Sequence, residues 1–468
     1  MDRSTKIRIN GELRGTEAAR DNFSDGRLNA RLATIARRLA KQPSASLPSA
    51  FTSAELEAAY RFFSNVFVTP ASILAPHVDA TRLRAASRAT IRVVHDTTEL
   101  SYRHAGKRRG FGDGPQHFKA HVSLAVSCEG SRKPLGVAAV EAWVDGSYEN
   151  QQDVWLQQIR ASEAALDCKG RAIHITDREG DDYFLFHELL LAGHRFVVRS
   201  SFDRWTKSTE DGPKTKLHSA MAMIEHVAER DSTINPRARN SSEHRRRIYP
   251  AREARDAKLH VAATRLELVR PVSYVPSGKK GHLAHLPTTL AVNVVRVWEP
   301  EPPADEVAIE WLLFTTEPIG TADEVSAVVD HYRARWIIEE YFKALKTGCA
   351  FERRQLQDFD SLANALAVFA PLAYHVLLLR TVARVDPAAP ATDVASSDEL
   401  EVLRVLGRRP IPPNPTARDI LLAIAALGGH IKYAPDPGWL TIARGYEKLE
   451  ALVEGWQAGK LQRDSDQR

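Results

Sequence analysis

Between residues 90 and 200 the hydrophobic period of the chain changes in a fixed order, and that order restricts the accessible folds more than any other feature. Thr90–His95 is β-branched and apolar and stops at Asp96. His121–Ser127 and Leu135–Val144 read as two further strands, with a Gly-rich, basic loop over 106–115 between the first two. A helix is expected over 152–167, a short strand over Ala172–Thr176 ending at Asp177, a helix over Asp182–Ala192 and a strand over Arg195–Ser200. Such an order builds a mixed sheet flanked by helices.

The flanking segments differ in kind. Residues 20–85 read as helical: Leu28, Leu32, Ile35 and Leu39 recur at helical spacing, Arg27, Arg31 and Arg38 fall on a neighbouring face, and Thr52 with Glu55 forms a capping-box pattern ahead of Tyr60, Arg61 and Phe62. An arginine stripe suits DNA backbone contact, and a solvated helix face explains it equally well. The stretch 203–300 breaks the alternation and reads as a β-rich insertion with long strands over His260–Arg270 and Thr288–Trp298, before a strand over Glu310–Thr315. A helix over Ala322–Lys346, an apolar helix near 362–380, an Ala/Pro/Ser-rich linker and helices over 400–458 follow. The expected organisation is α/β: a helical N-terminal domain over 1–85, an RNase H-like mixed-sheet core over 86–385 with the insertion at about 203–305, a linker over 386–400 and a helical region over 401–468.

Charge narrows the partner. The chain of 468 residues has a formal net charge of +5. Arg237–Lys258 alone holds eight basic and three acidic residues, and residues 1–90 hold fourteen basic against eight acidic. Two separate basic regions favour a polyanionic partner. Three scattered cysteines, Cys128, Cys168 and Cys349, fit neither a disulfide framework nor a structural zinc site and suit a reducing cytoplasm. The most apolar stretch, Leu362–Leu379, contains Asn364, Pro371 and His375 and reads as a buried helix, so no membrane is expected.

Three acidic residues carry the chemistry. Asp96 and Asp177 stand where apolar strands are expected to end, a common place for ligand-binding groups in open α/β sheets. Taken singly, a turn or a helix cap explains either one more simply. Glu339 is the stronger signal: on one continuous helix, Tyr332, Arg335 and Lys346 would fall within roughly 60° of it, with Lys343 on the same side, a face suited to phosphate. Exposed ion pairs such as Arg335 with Glu339 would explain the charges but not Tyr332. Three carboxylates from two strands and a helix can hold two Mg²⁺ ions about 4 Å apart, with Mn²⁺ as the expected substitute.

These residues resemble a family. Tyr332-x₂-Arg335-x₃-Glu339-x₆-Lys346 reproduces the signature of the IS-four family of bacterial DDE transposases, to which the Tn-five transposase belongs. Asp96-Thr97-Thr98, Leu100–His104, Asp177-Arg178-Glu179, Arg195–Arg199 and Trp311-Leu312-Leu313 extend the likeness from about residue 20 to 455. Gln116–His121 departs from the tryptophan-rich segment found there in the best-known member.

The resemblance implies that Asp96, Asp177 and Glu339 bind metal and that Tyr332, Arg335 and Lys346 hold transposon-end phosphates, Arg335 near the 5′ phosphate. Trp311 would support a base flipped from the duplex when the end forms a hairpin, and Arg199 and Lys343 would lie close to the DNA end. Arg27 and Arg61 would contact DNA from the N-terminal domain, and 416–458 would dimerise. It further implies cut-and-paste transposition of double-stranded DNA, from inverted-repeat ends to a target, by a homodimer in a synaptic complex. The enzyme would act in the bacterial cytoplasm, on the nucleoid. Two other readings stay open: a catalytically silent transposase-derived DNA-binding protein or inhibitor, expected to lack a carboxylate or the N-terminal domain, and a structure-selective nuclease of the same core fold.

Overall fold

The computed structural model describes residues 22–102, 107–111, 116–129, 132–148, 151–234, 236, 243, 251–271, 286–304, 306–431 and 436–466. Most of the basic run within 237–258 and half of the loop 106–115 thus lie outside the described residues.

In chain order, four helices come first: α1 (Gly26–Lys41), α2 (Leu47–Ala50), α3 (Ser53–Phe63) and α4 (Pro70–Ala86). Strands β1 (Ile91–Ser101), β2 (His117–Ser127) and β3 (Pro134–Trp143) follow, then helix α5 (Gln151–Leu166), strand β4 (Ala172–Thr176), helix α6 (Tyr183–Leu191) and strand β5 (Arg195–Arg199). The insertion contains β6 (Trp205–Lys207), β7 (Thr215–Lys216), α7 (Leu217–Ala222), β8 (Ala228–Ile234), β9 (Arg255–Val269) and β10 (Thr289–Trp298), and leads to β11 (Glu310–Thr315). Helices α8 (Ala322–Arg333), α9 (Trp336–Lys343), α10 (Phe359–Val385), α11 (Ser397–Leu406), α12 (Ala417–Leu427) and α13 (Trp439–Asp466) complete the chain. The expected order of strands and helices is present, with Ala172–Thr176 and Glu310–Thr315 at their expected bounds.

The chain forms two compact units: Met1–Tyr148, Gln158–Cys168 and Trp336–Arg468 make the first, and Glu149–Gln157 with Lys169–Arg335 the second. In the first, β1, β2 and β3 form an antiparallel meander in that spatial order. Helix α10 is its central core helix: long and apolar enough to cross a membrane, it is mostly buried within the fold. Side-chain caps start all four N-terminal helices, including the Thr52–Glu55 capping box of α3. The segment 386–400, expected as a linker, is instead packed: Ala389, Ala391, Val394 and Ala395 are buried, and Pro390 bridges to Thr416. Gly445 lets α13 close on α12, since a Cβ there would lie 2.0 Å from the Ile424 carbonyl oxygen.

Buried polar groups lock the first unit. Arg354 is 3% exposed, stacks 4.3 Å over the Phe369 ring and donates to the carbonyls of Pro43 (2.7 Å), Ala45 and Cys349. Ser44 donates to Glu447 through both its backbone N–H (3.1 Å) and its hydroxyl (2.6 Å), and Lys41 pairs with Glu454, so the N-terminal helices rest on α13.

Behind β1, the His121 ring is fully buried, with Nδ1 3.0 Å from the Thr97 hydroxyl, and burial pushes its pKa down from 6.5 to about 3. The unfolded chain therefore binds one more proton than the folded chain between those two values. His121 should cost up to about 1.4 kcal/mol of stability per pH unit as the pH falls from 6.5 toward 3. Urea unfolding across that window should show this slope and should flatten in His121→Gln; an unchanged slope would refute the assignment.

The second unit is a mixed sheet in the order β4–β5–β11–β10–β9–β6–β7, with β8 on the remaining part of β9. Among the described strands, only β4 and β5 run parallel within it. Helix α8 packs across its strands and is tied down by Arg230 of β8, which donates to Asp330 at 2.6 Å and to the Ser326 carbonyl at 2.8 Å.

Candidate active site

Asp96 does not end its strand. β1 continues through it to Ser101, paired with β2 at every residue, and Asp96 stands opposite Val122. Thr97, Thr98 and Leu100 keep the strand favourable, and eleven ladder pairs outweigh the poor strand propensity of one aspartate. The half-buried Asp96 accepts the Thr97 N–H through Oδ1 at 2.8 Å.

The helix expected over Ala322–Lys346 is also corrected. Helix α8 stops at Arg333, Arg335 N–H donates to the Tyr332 carbonyl at 2.9 Å in a tight turn, and α9 begins at Trp336. The physical cause is a phase slip in the apolar stripe. Val325, Val328, Val329 and Tyr332 bury one face, whereas an unbroken helix would next bury position 336, where Trp336 is 54% exposed. The break lets Ile337, Ile338, Tyr341 and Phe342 face the core instead. A π-helical turn over Ala344–Gly348 then closes with Cys349 N–H donating to the Ala344 carbonyl at 2.7 Å. The single phosphate-binding face inferred from helical spacing therefore does not exist as drawn.

Within the first unit, Asp96, Lys346 and the helix that carries Glu339 nevertheless meet on one strand. Helix α9, with Glu339 half-buried in its first turn, packs against β1 and α10. The π turn directs Lys346 onto the same strand, its Nζ donating to the Glu99 carbonyl at 2.6 Å. Glu99 is three residues from Asp96, roughly 10 Å along a strand. Lys343 pairs with Glu340 at 3.0 Å and lies 5.7 Å from the exposed Trp336 ring, and Arg380 holds the other Glu340 oxygen at 2.9 Å.

The N-terminal candidates are more ordinary. Arg27 is bound to Asp25 (2.9 Å) and Arg61 to Glu57 (2.5 Å), both exposed pairs, and Arg38 of the expected stripe pairs with Glu55 at 2.9 Å. Such pairs exchange readily for phosphate, since exposed ion pairs contribute little. Beyond Arg61, Val66 and Phe67 stand largely exposed between α3 and α4, apolar side chains that periodicity had not singled out.

In the second unit, Asp177 follows β4 directly and caps the 3₁₀ turn Arg178–Gly180, Oδ1 accepting the Glu179 N–H at 2.8 Å. Gly180 permits this turn, because a Cβ there would lie 2.2 Å from the Thr176 hydroxyl. Below it sits an ion pair that sequence reasoning missed. Asp181, with no side-chain exposure, binds Arg204 at 2.7 Å, and its other oxygen accepts the N–H groups of Ser201 (2.6 Å) and Phe202 (3.2 Å). The Asp177 turn and the loop after β5 are thereby fixed to each other.

The remaining candidates gather on the same unit. Trp311 of β11 meets Tyr332 of α8 edge-to-face, ring centroids 5.6 Å apart, and Tyr332 is buried. Arg199 of β5 stands on the strand adjacent to β11, its guanidinium 3.5 Å from the Glu310 carbonyl oxygen. Arg335 is half-buried in the turn after α8.

The fold and these residues meet known families. Residues 13–68 match the family described as Transposase DNA-binding, and residues 171–370 the one described as Transposase DDE domain. Both matches support a DNA transposase of the DDE class, on an RNase H-like α/β fold with helical N- and C-terminal regions. Its two domains assign it to DNA and to metal-dependent strand cleavage and transfer. Asp177, Glu339, Tyr332, Arg335, Lys346, Lys343, Arg199 and Trp311 fall inside the matched DDE segment, Arg27 and Arg61 inside the DNA-binding match, and Asp96 precedes the DDE match.

Proposed function

We propose that this protein performs cut-and-paste transposition, with Asp96, Asp177 and Glu339 as the ligands of two Mg²⁺ ions, for which Mn²⁺ substitutes. The observation that carries the reading is the convergence of helix α9, which bears Glu339, and of Lys346 on β1, the strand of Asp96. The donor set fits the metal: three carboxylates are the hard oxygen ligands that Mg²⁺ selects. The ions would activate the attacking oxygen and stabilise the leaving 3′-oxygen.

The chain's own residues supply position and charge. Lys346, Arg335, Lys343 and Arg199 offer cations to non-bridging phosphate oxygens, holding the scissile bond for in-line attack. Water frees the 3′ end of the element, that hydroxyl displaces the opposite strand to give a hairpin, and a second water reopens it before attack on target DNA. Trp311, backed by the buried Tyr332, offers an indole on which the flipped base stacks at the hairpin step. Arg27 and Arg61, with the exposed Phe67, would read the inverted-repeat ends. Two copies, joined through α12 and α13 in 416–458, would form the synaptic complex.

The reading is tested by incubating the purified protein with Mg²⁺ and duplexes taken from the DNA flanking its coding sequence. A nick leaving a 3′-hydroxyl, followed by a hairpin, is expected. Binding without cleavage would favour instead the catalytically silent DNA-binding protein. Trp311→Ala should keep the nick and lower hairpin yield by about tenfold, the loss of one base–aromatic stack. Undiminished hairpin formation would remove Trp311 from that role.

A further inference from the structure

We propose that His226, Glu229 and His260 form an additional metal site, for one transition-metal ion of the Zn²⁺ class, on the β8–β9 pair of the insertion. Glu229 of β8 stands directly opposite His260 of β9. His226 lies just ahead of β8, its approach fixed by Val227 N–H donating to the Val261 carbonyl at 2.8 Å.

The spacing points to an ion. Both imidazoles present Nε2 to the same carboxylate oxygen, Glu229 Oε1, each at 3.5 Å. That separation is longer than an ordinary N–H···O hydrogen bond. It does match the distance between two corners of a tetrahedral zinc site, about 3.3–3.5 Å for metal–ligand bonds of roughly 2.0–2.2 Å. The side chains of His226 and Glu229 are 42% and 46% exposed, so the fourth corner is open to water.

The surroundings orient the ligands. The two imidazole rings stack at 4.1 Å, and the Trp298 ring meets both edge-on, 5.5 Å from His260 and 6.4 Å from His226. The second Glu229 oxygen is held by Lys258 at 3.2 Å. This hydrogen bond, and then the lysine charge, lower the Glu229 pKa and keep the carboxylate ionised. One oxygen is thus anchored while the other faces the two nitrogens, the outer-shell arrangement that metal ligands need.

The donor set distinguishes this site from a magnesium site. Two imidazoles and one carboxylate suit Zn²⁺, Co²⁺, Ni²⁺ or Cu²⁺, whereas Mg²⁺ prefers oxygen alone. The ion would staple β8 to β9. Because Arg230 of β8 holds Asp330 and the Ser326 carbonyl of α8, the staple also braces the helix that carries Tyr332.

The test uses Co²⁺ as a spectroscopic probe of the full-length, metal-stripped protein. One equivalent should bind with the intense visible absorption of tetrahedral cobalt, be displaced by Zn²⁺, and persist in Asp177→Asn. His226→Gln and His260→Gln should each weaken binding by more than about tenfold, with circular dichroism unchanged. Should His260→Gln fail to fold, the exposed Glu229→Gln makes the same test. Absence of the band at submillimolar Co²⁺, or a band that survives Glu229→Gln or the two histidine replacements, would overturn the proposal.

Discussion

Glu339→Gln is expected to lower strand cleavage by roughly a thousandfold or more while leaving DNA binding within a few-fold of the parent protein. The amide keeps the size of the side chain and loses the charge that a divalent ion requires. Affinity for DNA comes chiefly from lysine and arginine contacts to phosphate, which this exchange leaves in place. Glu339 also sits half-buried in the first turn of α9 and outside its apolar face, so the fold should not change. Asp177→Asn should behave alike, since an amide oxygen can still accept the Glu179 N–H that caps the turn. Gel-shift and nicking assays on the same duplex separate the two effects. Loss of binding in parallel with cleavage would assign Glu339 to structure rather than to chemistry.

Arg204→Ala should produce the largest loss of stability among single replacements near the site, about 3–5 kcal/mol. Asp181 would remain as a charge with no exposed side-chain surface, deprived of its guanidinium partner, and desolvation makes such a group costly. The loss should reach function, because Asp181 also receives the Ser201 and Phe202 N–H groups that hold the loop after β5. Pairing Arg204→Met with Asp181→Asn should recover part of the stability, since asparagine still accepts those N–H groups without a buried charge. Chemical denaturation followed by tryptophan fluorescence measures all three variants. A change below about 1 kcal/mol for Arg204→Ala would mean that the pair is not buried as described.

The sequence was most informative where one local rule acts alone. Ala172–Thr176 and Glu310–Thr315 are short apolar runs bounded by polar residues, and both form strands at those bounds. Asp177 was legible because its strand does end there. Asp96 was legible as a chemical group but misplaced in its strand, because pairing with β2 carries β1 five residues beyond it.

The helix around Glu339 shows a subtler limit. Spacing alone assumes an unbroken 3.6-residue period, whereas the buried positions shift phase between Tyr332 and Ile337, and a π turn follows. The slip was readable in principle from Trp336-Ile337-Ile338, where three bulky apolar residues cannot share one face. Contacts between residues distant in sequence left no local trace: Asp181 with Arg204, Arg354 with the 43–45 loop, and the His226–Glu229–His260 cluster emerge only from the folded chain.

The central claim is that Asp96, on β1 and ahead of the matched DDE segment, acts with Asp177 and Glu339. It is tested most directly by the single-turnover nicking rate of Asp96→Asn on transposon-end DNA in Mg²⁺, with fold and DNA binding verified on the same preparation. A loss of roughly a thousandfold is expected, matching Asp177→Asn and Glu339→Gln. Nicking by Asp96→Asn at the parent rate would contradict it.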